Sequence, residues 1–172
     1  KGLRIAHARD DKYAFQLIMA RICKEKGKYD EAMEILSKMQ PHLRQNSDLY
    51  GDFLLLRCTI LRAIGHQEEA LRVAKKAERV LTKNRDYENL AKTLNAAGVI
   101  YYSMGDTENA LKYFDKSYQY SERVNDIQTM QKAAGNLGVI NQSIGKTTSA
   151  IKYFNAAKEL AQRMYHPQGY IT

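Results

Sequence analysis

Apolar residues recur along this chain at helical spacing, in stripes separated by short polar turns. Over residues 86–104, Leu90, Leu94, Ala97, Gly98 and Tyr101 fall on one face of a helix. In the following stretch Ala110 and Phe114 form a second stripe, completed by Ser117 or Tyr118. The pattern predicts helices over residues 12–26, 29–41, 48–64, 67–83, 86–104, 107–122, 126–144 and 147–165.

The punctuation between these helices is periodic. Gly-to-Ala steps of one length occur at Gly27/Ala32, Gly65/Ala70, Gly105/Ala110 and Gly145/Ala150, and the glycines lie 38, 40 and 40 residues apart. Each glycine follows an apolar run, where a left-handed C-terminal cap is needed and only glycine takes that shape without strain. Asn46-Ser47-Asp48, Asn84-Arg85-Asp86 and Asn125-Asp126 supply turn chemistry at the joins between periods. Asp106 or Thr107 is placed to cap the helix that follows Gly105, and Glu108 favours its positive end. Gly98 and Gly138 fall in mid-helix, where glycine costs about 1 kcal/mol against alanine. Close approach of the paired helix is the expected reason. A fixed period containing one helix–turn–helix marks a stacked helical solenoid, an architecture used mainly as a binding surface.

The residues at the repeat positions resemble a known family. Leu94-x-x-Ala97-Gly98-x-x-Tyr101 followed by Ala110-x-x-x-Phe114 resembles the tetratricopeptide repeat (TPR). So does Ala134-x-x-Leu137-Gly138-x-x-Asn141 with Ala150-x-x-x-Phe154. The resemblance covers essentially the whole chain. The first two repeats depart from it: Ala20 and Cys58 stand at the small mid-helix site, and Leu36 and Ala74 replace the phenylalanine. No repeat carries the helix-ending proline of many members, and the period exceeds the usual one of about 34 residues. The resemblance implies an all-α fold, a right-handed α-α superhelix (TPR-like solenoid) of four helix-turn-helix repeats plus partial repeats at both ends. These repeats take up approximately residues 12–45, 48–85, 86–125 and 126–165 of a single domain over 1–172. Residues 1–9, ending at Arg9-Asp10-Asp11, align with the tail of a second helix and its turn. His166–Thr172 aligns with the start of another first helix, so both ends read as cut from a longer array.

Composition narrows the function classes. A hydrophobic content of 44% in 172 residues excludes a disordered chain. No apolar run approaches the roughly 18–20 residues that span a bilayer, so no membrane insertion is expected within this chain. Cys23 and Cys58 are too few for a disulfide framework; each lies in an apolar helical stretch and is expected as a buried, reduced thiol, which favours a cytoplasmic setting. The formal charge is +8, but the basic residues are scattered. Their densest cluster, Lys75, Lys76, Arg79 and Lys83, falls on the exposed side of one helix, so nucleic acid is not the expected partner.

Catalytic chemistry finds no foothold. His7, His42, His66 and His166 are dispersed among the repeats, and no metal-ligand spacing or glycine-rich phosphate loop occurs. Gly135-x-x-Gly138 is better explained by helix packing. Asp30/Glu31 and Glu68/Glu69 lie at helix starts, where they favour the dipole. The chain is therefore expected to be no enzyme, with no catalytic residue, no cofactor and no metal.

The expected site is a groove. The family resemblance implies that the first helix of each pair lines a concave face along which extended peptides lie. If Leu94, Ala97, Gly98 and Tyr101 pack inward, then Lys92, Asn95, Ala96, Val99 and Tyr102 face this groove. The period carries the set to Lys132, Gly135, Asn136, Val139 and Gln142, and back to Asp52, Leu55, Thr59 and Arg62, then Leu17, Arg21 and Lys24. Five cations (Arg21, Lys24, Arg62, Lys92 and Lys132) stand against the single acid Asp52. Asn95 and Asn136 can each donate to and accept from a peptide backbone. The expected ligand is an acidic or carboxylate-bearing peptide held by charge-assisted hydrogen bonds. The recurring tyrosines Tyr101, Tyr113, Tyr118, Tyr120 and Tyr153 read as core residues with the hydroxyl at the edge.

Most of the sequence signal thus favours a protein-interaction module of a larger regulatory or signalling protein. The long period and Asn136-Leu137-Gly138 resemble sensor arrays of bacterial regulators and adaptor arrays of animals. In the bacterial case this resemblance implies a DNA-binding or kinase output domain outside the chain. Two other readings stand beside it: a self-assembling scaffold that forms homo-oligomers, and a basic repeat domain associated with nucleic acid.

Overall fold

The computed structural model describes residues 2–44 and 47–165. Among them the chain forms eight α-helices: α1 (Gly2–Glu25), α2 (Tyr29–Met39), α3 (Asp48–Ala63), α4 (Gln67–Asn84), α5 (Tyr87–Ser103), α6 (Thr107–Arg123), α7 (Ile127–Ser143) and α8 (Thr147–Tyr165). A 3-10 turn, Gln40–His42, follows α2. The chain divides between Arg85 and Asp86 into two compact units.

In the first unit α1 packs on α2, α3 on α4, and both α1 and α2 touch α3. Its core holds Ala20, Leu36, Met39, Phe53, Ile60 and Leu81. In the second unit α6 packs on both α5 and α7, and α8 packs on α7. Leu90, Leu94, Ile100, Phe114, Leu137 and Ile140 form that core. Removing each of the larger of these side chains, Leu, Ile, Met or Phe, from water contributes about 1.5–3 kcal/mol, which is why the stripes decide the pairing.

The periodic glycines do what their spacing predicts. Gly27, Gly65, Gly105 and Gly145 have φ of 73°, 85°, 80° and 76°, in the left-handed region. The residue after each glycine closes a wider turn: the N–H of Lys28, His66, Asp106 and Lys146 donates to the carbonyl of Cys23, Leu61, Tyr101 and Asn141 at 2.8–2.9 Å. This ties up carbonyls that the helix end leaves orphaned. The joins between repeats repeat the device without glycine, since Arg85 and Asn125 take φ of 58° and 55°.

Helix starts are capped by aspartate. The Asp86, Asp106 and Asp126 carboxylates accept from the backbone N–H of Asn89, Asn109 and Thr129 at 3.0–3.1 Å. Their second oxygens accept from the side chains of the same three residues at 2.6–2.8 Å. Asp106, not Thr107, is therefore the cap of α6. The Asn109 side-chain amide, and then its backbone N–H, hold the Asp106 carboxyl below the usual carboxylate range.

Three local expectations are corrected. The sequence pattern carries α2 to residue 41, but it ends at Met39. Pro41 has no N–H to continue the ladder and lies inside the 3-10 turn that follows, Gln40–His42. The turn read at Arg9-Asp10-Asp11 is not formed, because α1 runs unbroken from Gly2. That stretch has neither glycine nor proline to end a helix. In α6 the stripe is completed by Ser117, which is fully buried and donates to the Ala91 carbonyl of α5 at 2.8 Å, while Tyr118 is half-buried. His166–Thr172 lies outside the described residues.

Candidate functional site

In the second unit the first helices α5 and α7 are neighbours. Residues 92, 95, 99 and 102 of α5 follow one another at steps of three and four, so they make a single stripe along it. Lys92, Asn95 and Val99 are half-buried and Tyr102 is exposed. On α7 Asn136 is half-buried, while Lys132, Val139 and Gln142 are exposed.

The Asn136 side-chain amide donates to Asn95 Oδ1 at 3.0 Å, joining the two helices at this surface. The 40-residue period makes Asn95 the counterpart of Gly135, and Ala96 that of Asn136. The pair is thus offset by one position, so each asparagine turns from its own helix toward the other. This bond uses one donor and leaves the Asn95 amide group and Asn136 Oδ1 able to meet a further backbone. Beside them Gly135 borders open space: a Cβ built there meets no atom within 4 Å.

The electrostatics are more balanced than the sequence suggests. Lys92 Nζ lies 2.5 Å from Glu88 Oε1 and 4.0 Å from Asp126 Oδ2. Lys24 Nζ lies 2.7 Å from Glu25 Oε1. Of the five expected groove cations these two therefore have acids beside them. Lys132 and Arg21 are exposed. Arg62 is half-buried, and its Nε is shielded from water without a hydrogen-bond partner among the described residues.

Two residues drop out of the expected surface. Leu17 is 4% exposed and belongs to the core. Ala96 is 6% exposed, so that side of α5 is covered. Thr59 directs its hydroxyl to the Leu56 carbonyl at 2.8 Å. The offset that makes the asparagine pair was not visible in the sequence, because the period aligns each asparagine with a residue lacking a polar side chain.

Other chemistry takes structural places. Burial pushes the Cys58 thiol up to about 12, with Arg62 opposing the shift. Tyr101 and Tyr113 pack with ring centroids 5.0 Å apart, and Tyr87 stacks on Tyr120 at 5.6 Å under the Arg123 guanidinium. Lys75, Lys76, Arg79 and Lys83 are exposed on α4, with Lys76 over the Tyr50 ring at 5.4 Å. Among the described residues no group of three His, Cys, Asp or Glu is placed to hold a metal. No helix there is long and apolar enough to cross a membrane.

Comparison with known proteins agrees with this architecture. The tetratricopeptide-repeat profile matches residues 14–38, 91–123 and 131–163, more than half of the chain. No curated protein sequence matches it. Among solved structures the chain resembles BtubC (BKLC) from P. vanneervenii, with a TM-score of 0.79 at 18% identity over 93% of this chain and 66% of that one. It resembles aspartyl phosphate phosphatase F from Bacillus subtilis, with a TM-score of 0.82 at 17% identity over 90% of this chain and 41% of that one. MamA follows at 0.69 and 18% identity, over 94% and 85% of the two chains. The chain thus spans less than two thirds of the first two, and at such identity the likeness shows the fold alone.

Proposed function

The chain belongs to the tetratricopeptide-repeat family, and from that premise we propose that it is a protein-interaction module whose groove face on α5 and α7 binds an extended, acidic peptide. The observation that carries this reading is the Asn95–Asn136 pair, which keeps amide donors and an acceptor at a surface. Around it Tyr102 and Val139 are 41% and 44% exposed, giving apolar contact area for alternate side chains of a ligand. Lys132, exposed on α7, supplies the charge for carboxylates, and Gln142 a further amide. In the first unit, taken by itself, Arg21 on α1 and Arg62 on α3 carry the same sign of charge. Lys92 and Lys24 act less as ligands than as parts of local ion pairs. The module serves a larger regulatory or signalling protein in this reading, in the cytoplasm.

Fluorescence anisotropy with labelled extended peptides graded in Glu and Asp content tests it. Binding should rise with acidic content and fall when Asn95, Asn136 or Lys132 is changed to alanine. Lys158→Ala, on an exposed part of α8, should leave it unchanged. Equal binding of acidic and neutral peptides, or equal loss with Lys158→Ala, overturns the reading.

A further inference from the structure

The two repeats of the second unit differ at one packed place. Tyr101 of α5 and Tyr113 of α6 pair with ring centroids 5.0 Å apart, and Tyr101 is 8% exposed. The 40-residue period carries this pair to Asn141 of α7 and Tyr153 of α8. The second helix keeps its tyrosine, but the first helix now offers an asparagine, which has no ring. Among the described residues no aromatic ring packs on Tyr153.

A cleft opens between the two residues. It has a volume of about 360 Å³, and Leu111, Leu137, Asn141 and Tyr153 are among its walls. That lies at the small end of the range of ligand sites, about 300–1,000 Å³, and suits one inserted side chain. All its lining residues fall between residues 111 and 153, inside the second unit.

The polar groups of the cleft point to the chemistry it would take. Asn141 is 7% exposed, and its amide group donates to the Leu137 carbonyl at 2.8 Å. Its Oδ1 has no hydrogen-bond partner among the described residues. A nearly buried acceptor left without a donor is costly, and a ligand O–H that reaches it recovers that cost. Lys112 and Lys146 also line the cleft; both are exposed, and neither has an ion pair among the described residues. Asp115 opposes them, but its carboxylate already accepts from the Gln119 side chain at 2.6 Å.

We propose that this cleft takes the side chain of a tyrosine on a partner protein, in a segment with acids beside that tyrosine. The incoming ring takes the place that Tyr101 holds in the preceding repeat and packs on Tyr153. Its hydroxyl donates to Asn141 Oδ1, while Lys112 and Lys146 meet the neighbouring carboxylates. Phenylalanine fills the same space but leaves Oδ1 without a donor, so the site prefers tyrosine. The cleft shares no residue with the groove on α5 and α7, so the two sites stand or fail separately.

Backbone-amide NMR of the labelled 172-residue chain tests the proposal. The probes are a blocked Gly-Glu-Tyr-Glu-Gly peptide and its Phe and Ala counterparts. The tyrosine peptide should shift the amides of Asn141 and Tyr153 and bind there about fivefold or more tighter than the Phe peptide. The Ala peptide should leave both amides in place. Asn141→Leu should bind the Tyr and Phe peptides alike. Asn141→Tyr rebuilds the pair of the preceding repeat, so it should fold and lose the site. If that variant does not fold, Lys112→Ala combined with Lys146→Ala replaces it and should weaken the tyrosine peptide by about fivefold or more. Shifts confined to Asn95 and Asn136 overturn the cleft while sparing the groove. Equal binding of the Tyr and Phe peptides by the parent chain also overturns it, as does a tyrosine preference that survives Asn141→Leu. So does undiminished binding to Asn141→Tyr or to the double lysine variant. A single blocked tyrosine that binds as tightly as the peptide would make the ligand a small phenol and overturn the protein partner.

Discussion

A Cβ on residue 98 would lie 2.7 Å from two ring atoms of Phe114, so the glycine of α5 is what lets the α6 phenylalanine pack there. Gly138 stands in the same relation to Phe154, also at 2.7 Å. The two rings differ in their freedom to yield, since Phe114 is 2% exposed and Phe154 is 37% exposed. Gly98→Ala should therefore lower stability by roughly 1–2 kcal/mol, overpacking outweighing the gain in helix propensity. Gly138→Ala should stay within about 0.5 kcal/mol of the parent, because the Phe154 ring can swing outward while the propensity gain remains. Urea denaturation of both variants checks the pair, and equal losses would show that ring mobility is not the deciding factor.

Gly135 gives the opposite expectation from the same helix. A Cβ at this position would have no atom within 4 Å, so alanine there adds helix propensity without a clash. Gly135→Ala should raise stability by about 0.5–1 kcal/mol. Bulkier Gly135→Leu should fold equally well but block a peptide lying beside Asn95 and Asn136. Denaturation and peptide anisotropy on the two variants separate these effects.

The aspartate caps hold the starts of α5, α6 and α7. Asp126→Ala should cost about 1 kcal/mol, the usual loss of a helix N-cap. Asp106 shows the pH dependence. Its folded carboxyl is held below the usual range by Asn109, so its contribution is complete above the ordinary carboxylate range and disappears as pH falls through the depressed folded value. Asp106→Asn keeps a capping acceptor but cannot titrate. The stability gap between parent and variant should therefore narrow as pH is lowered from neutral, and a gap that widens would contradict the assignment.

Cys58 should be chemically silent in the native state. Its thiol is pushed up to about 12 by burial, and the thiolate is the reactive species. In a Cys23→Ala background, labelling by an aromatic disulfide at mildly alkaline pH should proceed no faster than unfolding. Rapid labelling of the folded chain would show that the site opens locally.

Much of the fold was legible because a few positions have only one physical solution. A residue that must take a positive φ after an apolar run is glycine, so the period of Gly27, Gly65, Gly105 and Gly145 gave the bends directly. Gly98 and Gly138 announced close packing, which offsets the cost of glycine in mid-helix, but the same expectation fails at Gly135, where a Cβ would meet no atom within 4 Å. Arg85 and Asn125 take the same left-handed shape with side chains, and at Arg85 no residue type signals it. The uninterrupted α1 was hidden by alignment with a turn that it has no reason to make. The candidate site was read less well, because helical periodicity describes one helix at a time. It places Asn95 and Asn136 on faces but cannot show that they lean toward each other, that Asp126 stands near Lys92, or that Ala96 is covered.

The Asn95–Asn136 bond can itself be separated from any part it plays in binding. Both side chains are half-buried, so an amide left alone by loss of its partner can turn to water. Asn95→Ala and Asn136→Ala should each cost only about 0.5–1.5 kcal/mol of stability. The double variant should cost less than the sum of the two, since the second substitution has no bond left to remove. Peptide binding should behave otherwise. If Asn95 and Asn136 meet the ligand backbone with the atoms their mutual bond leaves over, each single variant loses its own contact and also misorients its partner. Either substitution should then abolish most of the affinity, while urea denaturation shows a chain still folded. Affinity that tracks stability across the cycle would instead make the pair a helix clasp, and would move the ligand to the surface around Tyr102 and Val139.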